Sequence, residues 1–237
     1  MAIPIIKLEN VWKIYKLGRM EFPILKGISL DIAPGAFVVI LGPSGSGKST
    51  MLNMVGCLDL PSRGKVFLDG QDISKMSEDQ LAHARGKKIG FVFQQFNLLS
   101  NLNALENIMV PMVFQGKPER ERAERAKSLL ASLSLGARMT HRPMELSGGE
   151  QQRIAILRAL ANDPEIIVAD EPTGNLDSAT GKRIMEILID LHKNEKKTII
   201  VVTHDPAIAH YSSQVVHMKD GQLASNHFAS EKVLWPR

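Results

Sequence analysis

The sequence predicts an α/β fold: a mainly parallel sheet with a small antiparallel β addition and an α-helical insertion. Three observations lead there. Three short apolar runs, Phe37–Leu41, Ile166–Ala169 and Ile199–Val202, each end in polar or glycine-rich residues and are separated by helical stretches, as strands buried on both faces are. Near the front, Ile5–Val11 alternates (Ile6 and Leu8 against Lys7 and Glu9), as do Leu25–Ile32 and Lys65–Leu68, which is the pattern of half-exposed strands. From about Asn97 to Leu160 the chain reads as mostly helical.

Composition bounds what such a fold can be. At 237 residues the chain makes one large domain or a core with one subdomain. With 44% hydrophobic and 23% charged residues it matches globular proteins, which excludes long-range disorder and fibrous repeats. No apolar run approaches the ~18–20 residues of a membrane helix. Ala36–Leu41 and Ile108–Phe114 are short, and the second contains Pro111, so the chain is expected not to span a bilayer by itself. Met1–Asn10 lacks a basic segment followed by a long apolar one, which predicts no signal peptide. The single cysteine, Cys57, has no internal disulfide partner and fits a reducing compartment. Net charge is +4, from 29 Lys and Arg against 25 Asp and Glu. That excess would suit nucleic acid or an anionic membrane face, but spread over this length it reads as ordinary solubility. In the charged stretch Glu119–Lys127, Glu121 and Arg125 stand one turn apart, as on a solvated, ion-paired helix.

Gly42-Pro43-Ser44-Gly45-Ser46-Gly47-Lys48-Ser49 fits G-x-x-x-x-G-K-[ST] directly after a strand-like run. The glycines let the backbone curl until successive N–H groups face phosphate oxygens, and a helix starting near Lys48 aims its positive end at the same place. Lys48 supplies a point charge for the β- and γ-phosphates, and Ser49 offers a hydroxyl to Mg²⁺. The core is therefore expected to be that of a P-loop NTPase. Gly42, Pro43, Ser44, Gly45, Ser46, Gly47, Lys48, Ser49 and Thr50 form the predicted ATP-binding set.

The acidic partner is Asp170, at the end of Ile166-Ile167-Val168-Ala169, where a carboxylate at a strand tip can reach a phosphate-bound Mg²⁺. Glu171 is its neighbour. Side chains diverge at a strand end, so one carboxylate can hold metal while the other faces the attacking water. A solubilising acidic pair is the alternative for these two. A second anion site is expected at Leu146-Ser147-Gly148-Gly149-Glu150-Gln151-Gln152-Arg153, where bare amides, a hydroxyl and a helix running from Gln151 converge. Alone, that segment would by default be a plain N-cap with a flexible Gly-Gly turn. With the phosphate loop it predicts head-to-tail pairing, each ATP held by the loop of one copy and the Ser-Gly-Gly of the other.

Taken together, these segments strongly resemble the ATP-binding subunits of ABC transporters, from about Ile6 to Leu223. The order is family-like: the phosphate loop at 42–49, Phe93-Gln94 similar to the Q-loop, Leu146–Gln151 to the signature, Ile166–Glu171 to the acidic strand, Asn175-Leu176-Asp177 to the D-loop, and His204 to the switch histidine. The resemblance implies that Tyr15, after the first strand, stacks on adenine, and that Gln94 touches Mg²⁺ or water and links the site to the helical insertion; its neighbour Gln95 leaves the exact residue open. It further implies that His204 contacts the γ-phosphate and orients water and Glu171, that Ser147, Gly148 and Gly149 meet the partner's ATP, and that Asp177 sits at the dimer interface. The implied catalytic set is Glu171, His204 and Gln94, and the implied metal set is Ser49, Gln94 and Asp170. Glu150 replaces the family's usual Gln, and Leu157 stands where many relatives have Ala. Gly56-Cys57-Leu58-Asp59, Phe93–Leu98 and Asp170–Asp177 are most similar to the lipoprotein-release and macrolide-export ATPases, which pair with permeases of few transmembrane helices.

The expectation is one ABC ATPase domain over 1–237, with a nucleotide-binding core at 1–96 and 160–225, a helical subdomain at 97–159 and a tail at 226–237. It implies a Mg²⁺-dependent ATPase that pairs with a second copy of itself and drives a separate permease from the cytoplasmic face of the membrane, with no nucleic acid partner. An ABC-type ATPase acting on DNA or ribosomes would need a long coiled coil or tandem cassettes. A nucleotide sensor without turnover would not need Glu171 and His204.

Overall fold

The computed structural model describes residues 3–228, which form two compact units, 3–81 with 192–228, and 82–191. In chain order the elements are β1 (Ile6–Leu17), β2 (Met20–Ile32), β3 (Phe37–Leu41), α1 (Lys48–Val55), β4 (Arg63–Leu68), β5 (Gln71–Asp72) and α2 (Glu78–Lys88). They continue with β6 (Ile89–Val92), α3 (Ala104–Phe114), α4 (Glu119–Ser132), α5 (Gly148–Ala159), β7 (Ile166–Asp170) and α6 (Ser178–Lys193). β8 (Thr198–Thr203), β9 (Gln214–Lys219) and β10 (Gln222–Phe228) complete the chain. The expected tail enters the described residues only as the end of β10; its remainder, 229–237, lies outside them.

The first unit holds the antiparallel addition, a sheet in the order β2-β1-β4-β5. β1 is longer than its alternation indicates. Its pairing with β2 shifts register between Leu8 and Val11 and twice more before Ile14, so the two-residue period slips phase where the strand in fact continues. Beyond the bulges the hairpin closes with Tyr15 opposite Phe22 and Leu17 opposite Met20. Tyr15 therefore lies within β1, not after it.

In the same unit β3 runs parallel to β8, from Phe37 opposite Ile199 to Leu41 opposite Thr203, and parallel to β9 on its other side. β10 adds an antiparallel edge to β9. Phe37 to Ile40 and Ile199 to Val202 are fully buried, which is why these strands read as unbroken apolar runs. Each such side chain contributes about 1.5–3 kcal/mol over an exposed one. His192, at the end of α6, meets Phe37 edge to face at 5.5 Å, and burial holds its imidazole below the usual histidine pKa.

The second unit pairs β6 and β7 in parallel, Ile89 opposite Ile166 through Val92 opposite Ala169. Its helices explain the helical reading of 97–160. α3 opens with a capping box in which Asn103 accepts from the Glu106 N–H and Glu106 returns the bond to the Asn103 N–H. Asn107, fully buried, binds both backbone groups of Leu99 and the carbonyls of Leu102 and Asn103, which pins the approach to α3. On α4 the charge pattern resolves differently from the expected Glu121–Arg125 pair. Glu121 reaches back to Lys117 at 3.6 Å, and Arg120 pairs with Glu124 at 3.0 Å. Arg125 instead donates to the carbonyl of Leu160, the C-cap of α5, which also accepts from the Asp163 N–H. Among the described residues no helix is long and apolar enough to cross a membrane.

Candidate functional site

The loop at 42–47 joins the buried end of β3 to α1 in the first unit. Gly45 and Gly47 take φ of +77° and +98°, the left-handed values that curl the chain, and Gly47 is the N-cap of α1. Gly42 is required for a different reason. A Cβ there would lie 2.4 Å from the Met218 carbonyl oxygen of β9 and 2.6 Å from Ser46 Oγ. A backbone bond from the Gly221 N–H to the Ser46 carbonyl ties the loop to the β9–β10 turn. Lys48 folds over the loop and donates to the Pro43 carbonyl at 2.9 Å.

His204 directly follows β8. Because Thr203 stands opposite Leu41, His204 leaves the sheet at the same strand ends as Gly42, and it is exposed. Tyr15 is exposed on the hairpin of this unit, with Lys13 Nζ 5.4 Å from its ring centre. The first unit thus gathers the phosphate loop and His204 at one end of its parallel strands.

In the second unit Asp170 ends β7 and Gln94 follows β6. The register of Val92 with Ala169 brings both to one end of that strand pair. Glu171 is not in extended backbone. Its φ of 44° is left-handed, so Asp170 and Glu171 diverge because the chain turns there, not because strand side chains alternate. Asn175 Nδ2 donates to the Gln94 carbonyl at 2.9 Å, and a Cβ on Gly174 would meet Gln94 Nε2 at 2.9 Å. Gln94 and the Asn175–Asp177 turn are therefore in direct contact.

The signature segment differs from expectation in where its helix starts. α5 begins at Gly148, not Gln151, and Ser147 is its N-cap. The cause is a capping box: Ser147 Oγ accepts from the Glu150 N–H at 3.3 Å, while the Glu150 carboxylate accepts from the Ser147 N–H and hydroxyl, both at 2.9 Å. Arg138 binds the other Glu150 oxygen at 2.8 Å. Arg138 first, then Ser147, holds the Glu150 carboxyl down at about 2. Gly149 packs on α6, where a Cβ would come 2.5 Å from Thr180 Cγ2. The Asp177 carboxylate accepts from the N–H groups of Ala179 and Thr180 and caps α6; Thr180 holds its pKa below the ordinary value. A pocket of about 320 Å³ opens between these two helix starts, lined by Ser147–Gly149, Asp177, Arg153 and Arg183 among others. Two helix N-termini and the guanidinium groups of Arg153 and Arg183 face it, together with the carboxylates of Glu150 and Asp177.

Sequence reasoning missed Arg138, Arg158 and the contacts of Gln152 and Asn175, two residues that lie inside the quoted motifs. Only the first had a signal: Ser147 and Glu150 stand in the S-x-x-E spacing of a capping box, whose partly buried carboxylate attracts a cation. Gln152 Nε2 donates to the Pro172 carbonyl, and Arg158 to the carbonyls of Phe96 and Asn97. Each of these three acts on backbone far away in sequence, which no local pattern records.

The residues fit a nucleotide phosphate and Mg²⁺. Ser46 Oγ is buried in the loop without a hydrogen-bond partner, and the space outside Gly45 is open to 4 Å. Among the described residues no group of three or more His, Cys, Asp or Glu could cage a metal. Mg²⁺ in a nucleotide site is bound through one or two protein oxygens together with substrate phosphates. Ser49, Gln94 and Asp170 all offer hard oxygen donors.

Comparison with known proteins agrees. The ABC transporter family model matches residues 25–174. An uncharacterised ABC transporter ATP-binding protein of Thermotoga maritima is 51% identical, over 92% of this chain and 93% of its own length. The macrolide export ATP-binding/permease protein MacB of a Shewanella species is 47% identical over 95% of this chain, which spans only 34% of that relative's length. Among solved structures, the dimeric ATP-binding cassette MJ0796, in a post-hydrolysis state bound to ADP and Pi, aligns with a TM-score of 0.88 at 46% identity, covering 96% of this chain and all of that one. With the loop, the capped signature and the acidic strand end in place, this chain belongs to the ABC transporter family, as one of its ATP-hydrolysing cassettes.

Proposed function

We propose that the chain binds ATP with Mg²⁺, closes with a second copy head to tail around two nucleotides, and by hydrolysing them drives a separate membrane permease. The observation that carries this reading is the pocket at the start of α5: a second concavity with helix N-termini, Arg153 and Arg183 in its wall, whose serine hydroxyl is held by the capping box. A single nucleotide on one copy has no use for two such places, whereas two copies facing each other do. MJ0796 is a dimeric cassette in its ADP- and Pi-bound structure, which supports the same arrangement.

In this reading Lys48 and the N–H groups of 42–50 bind the β- and γ-phosphates, and Tyr15 stacks on adenine. Ser49, Gln94 and Asp170 would hold Mg²⁺, which when bound offsets phosphate charge. Glu171 accepts a proton from the water whose oxygen attacks the γ-phosphorus, and the bond to the β-phosphate oxygen breaks to leave ADP and phosphate. His204 contacts the γ-phosphate and orients the water and Glu171. Ser147, Gly148 and Gly149 engage the γ-phosphate of the other copy's ATP, and Asp177 lies at the interface between copies. Catalysis is thus positioning and charge stabilisation.

The relatives named ATP-binding/permease proteins support a permease partner, since this chain spans about a third of their length. The chain would sit on the cytoplasmic face of the membrane through that permease, in a transporter of the lipoprotein-release or macrolide-export kind, with no nucleic acid partner. The Glu171→Gln substitution tests the reading. Losing the base slows hydrolysis by ~10²–10⁴-fold, while Lys48, Ser49 and Asp170 still hold the nucleotide. The variant is expected to run as an ATP-dependent dimer on a sizing column. Hydrolysis at the parental rate removes Glu171 as the base, and a monomer with ATP at high protein concentration removes the head-to-tail dimer.

A further inference from the structure

One buried side chain joins the signature helix to the turn that carries Glu171. Gln152 lies one turn into α5, is wholly buried, and donates from Nε2 to the Pro172 carbonyl at 2.7 Å. Pro172 directly follows Glu171, and having no N–H it offers the backbone only that carbonyl to be held. Glu171 itself sits at φ 44°, a conformation that a side chain-bearing residue keeps only when its surroundings impose it. The other end of the Gln152 amide, Oε1, is buried without a hydrogen-bond partner. An apolar side chain of the same length would fill the space and leave no orphaned acceptor, so packing alone does not account for an amide here. The donated bond does.

The rest of α5 gives that bond its significance. Ser147 caps the helix beside the signature pocket, and Arg158, half-buried near its C-terminal end, donates to the carbonyls of Phe96 and Asn97 just past Gln94. The helix is thus attached at one end to the pocket and along its length to the segments after Glu171 and after Gln94.

We infer that Gln152 is a positioning residue that fixes the Glu171 turn to the signature helix, so that ATP of the second copy engaging the start of α5 sets the base of this chain's own site. This rests on the proposed roles of Glu171 and of the signature pocket. Without the bond, the turn relaxes from its left-handed conformation and the carboxylate leaves the line of attack, while nucleotide binding and pairing of the copies are untouched.

The test is Gln152→Met, close in length but without a donor, with Gln152→Asn, one methylene too short to reach Pro172, as the second variant should methionine fail to fold. Steady-state ATP hydrolysis should show kcat lowered roughly tenfold, the rate equivalent of one hydrogen bond, with KM for ATP unchanged. Gln152→Met placed in the Glu171→Gln background should still form the ATP-dependent dimer on a sizing column. Parental kcat in the variant overturns the inference, and so does loss of the trapped dimer together with kcat, which would make Gln152 a structural support of α5. Glu171→Gln alone separates the two readings. If it hydrolyses at the parental rate, the base assignment fails and this inference with it; if it is inactive while Gln152→Met is unimpaired, only the coupling fails.

Discussion

Ser147 caps a helix and, in the proposed dimer, binds the other copy's ATP; the two roles can be separated. Its Oγ accepts from the Glu150 N–H at 3.3 Å, a long bond, and donates to the Glu150 carboxylate at 2.9 Å, an exposed bond that water can replace, while Glu150 onto the Ser147 N–H at 2.9 Å survives any side-chain change at 147. Ser147→Ala therefore costs the lower part of the capping range, about 0.5–1 kcal/mol, and Ser147→Gly only a few tenths. For a chain of this size the alanine variant should melt ~1–4 °C lower, and the glycine variant barely at all. Dimerisation should behave differently. Each copy loses one hydrogen bond to a charged group, about 1.5–3 kcal/mol, and the symmetric dimer loses two, so its dissociation constant should rise by ~10²–10⁴-fold. Alanine and glycine lack the hydroxyl equally and should be equally impaired. The assay is sizing chromatography with ATP in the Glu171→Gln background, beside thermal melting of each variant. If dimer loss follows the melting temperatures, with glycine nearly normal, Ser147 is a cap and nothing more.

Three further outcomes are expected. Lys48→Ala should abolish ATP binding, measured by calorimetry or fluorescent nucleotide, because the loop loses its cation; normal affinity would refute the phosphate-loop assignment. Gly42→Ala should destabilise the chain by about 1–3 kcal/mol, since its Cβ would collide with the Met218 carbonyl, backbone that a side-chain rotation cannot relieve; an unchanged melting temperature would refute that packing. Arg138→Gln should raise the Glu150 pKa from about 2 toward the ordinary 4.5, read by NMR of the carboxyl carbon. A depressed carboxyl pKa stabilises above the unfolded value and loses its contribution as pH falls through the folded one, so the variant should lose the capping box at higher pH than the parent. An unmoved titration would show that Ser147 alone holds the charge.

The parts legible in the sequence are those written in local pattern. β3 and β8 announced themselves because every residue is buried, and the phosphate loop because its glycines and Lys48 are consecutive. The alternation of β1 reads only to Val11 because its bulges change the phase, and β9 alternates in burial with period two while its sequence sets Val215 on the less buried face and Gln214 on the buried one, which blurs the pattern. α5 starts three residues before the Gln151 that its sequence suggests, because the Ser147–Glu150 box overrides the poor helix propensity of Gly148 and Gly149. At the site, residue types were legible and their supports were not. Gln152, Arg158 and Asn175 each bind a backbone carbonyl 20 to 81 positions away, contacts set by the fold.

Those supports and the backbone they hold explain one another. Three side chain-bearing residues of the second unit stand in left-handed backbone next to proposed functional positions: Phe96 and Asn97 after Gln94, and Glu171 after Asp170. Each such residue costs about 1–3 kcal/mol and persists only where neighbours over-determine it. Here they do. Arg158 donates to the carbonyls of Phe96 and Asn97, Asn107 secures Leu99 beyond them, the Gly174 N–H closes on the Glu171 carbonyl at 3.0 Å, and Gln152 holds Pro172. Burial pulls the Arg158 guanidinium below its ordinary pKa, so the fold accepts a desolvated cation to keep that loop in shape. Relaxing any of these residues to right-handed or extended backbone would be locally favourable and would re-aim Gln94 or Glu171. Glycine would take such backbone at less cost, and at these turns the held backbone fixes where Gln94 and Glu171 stand.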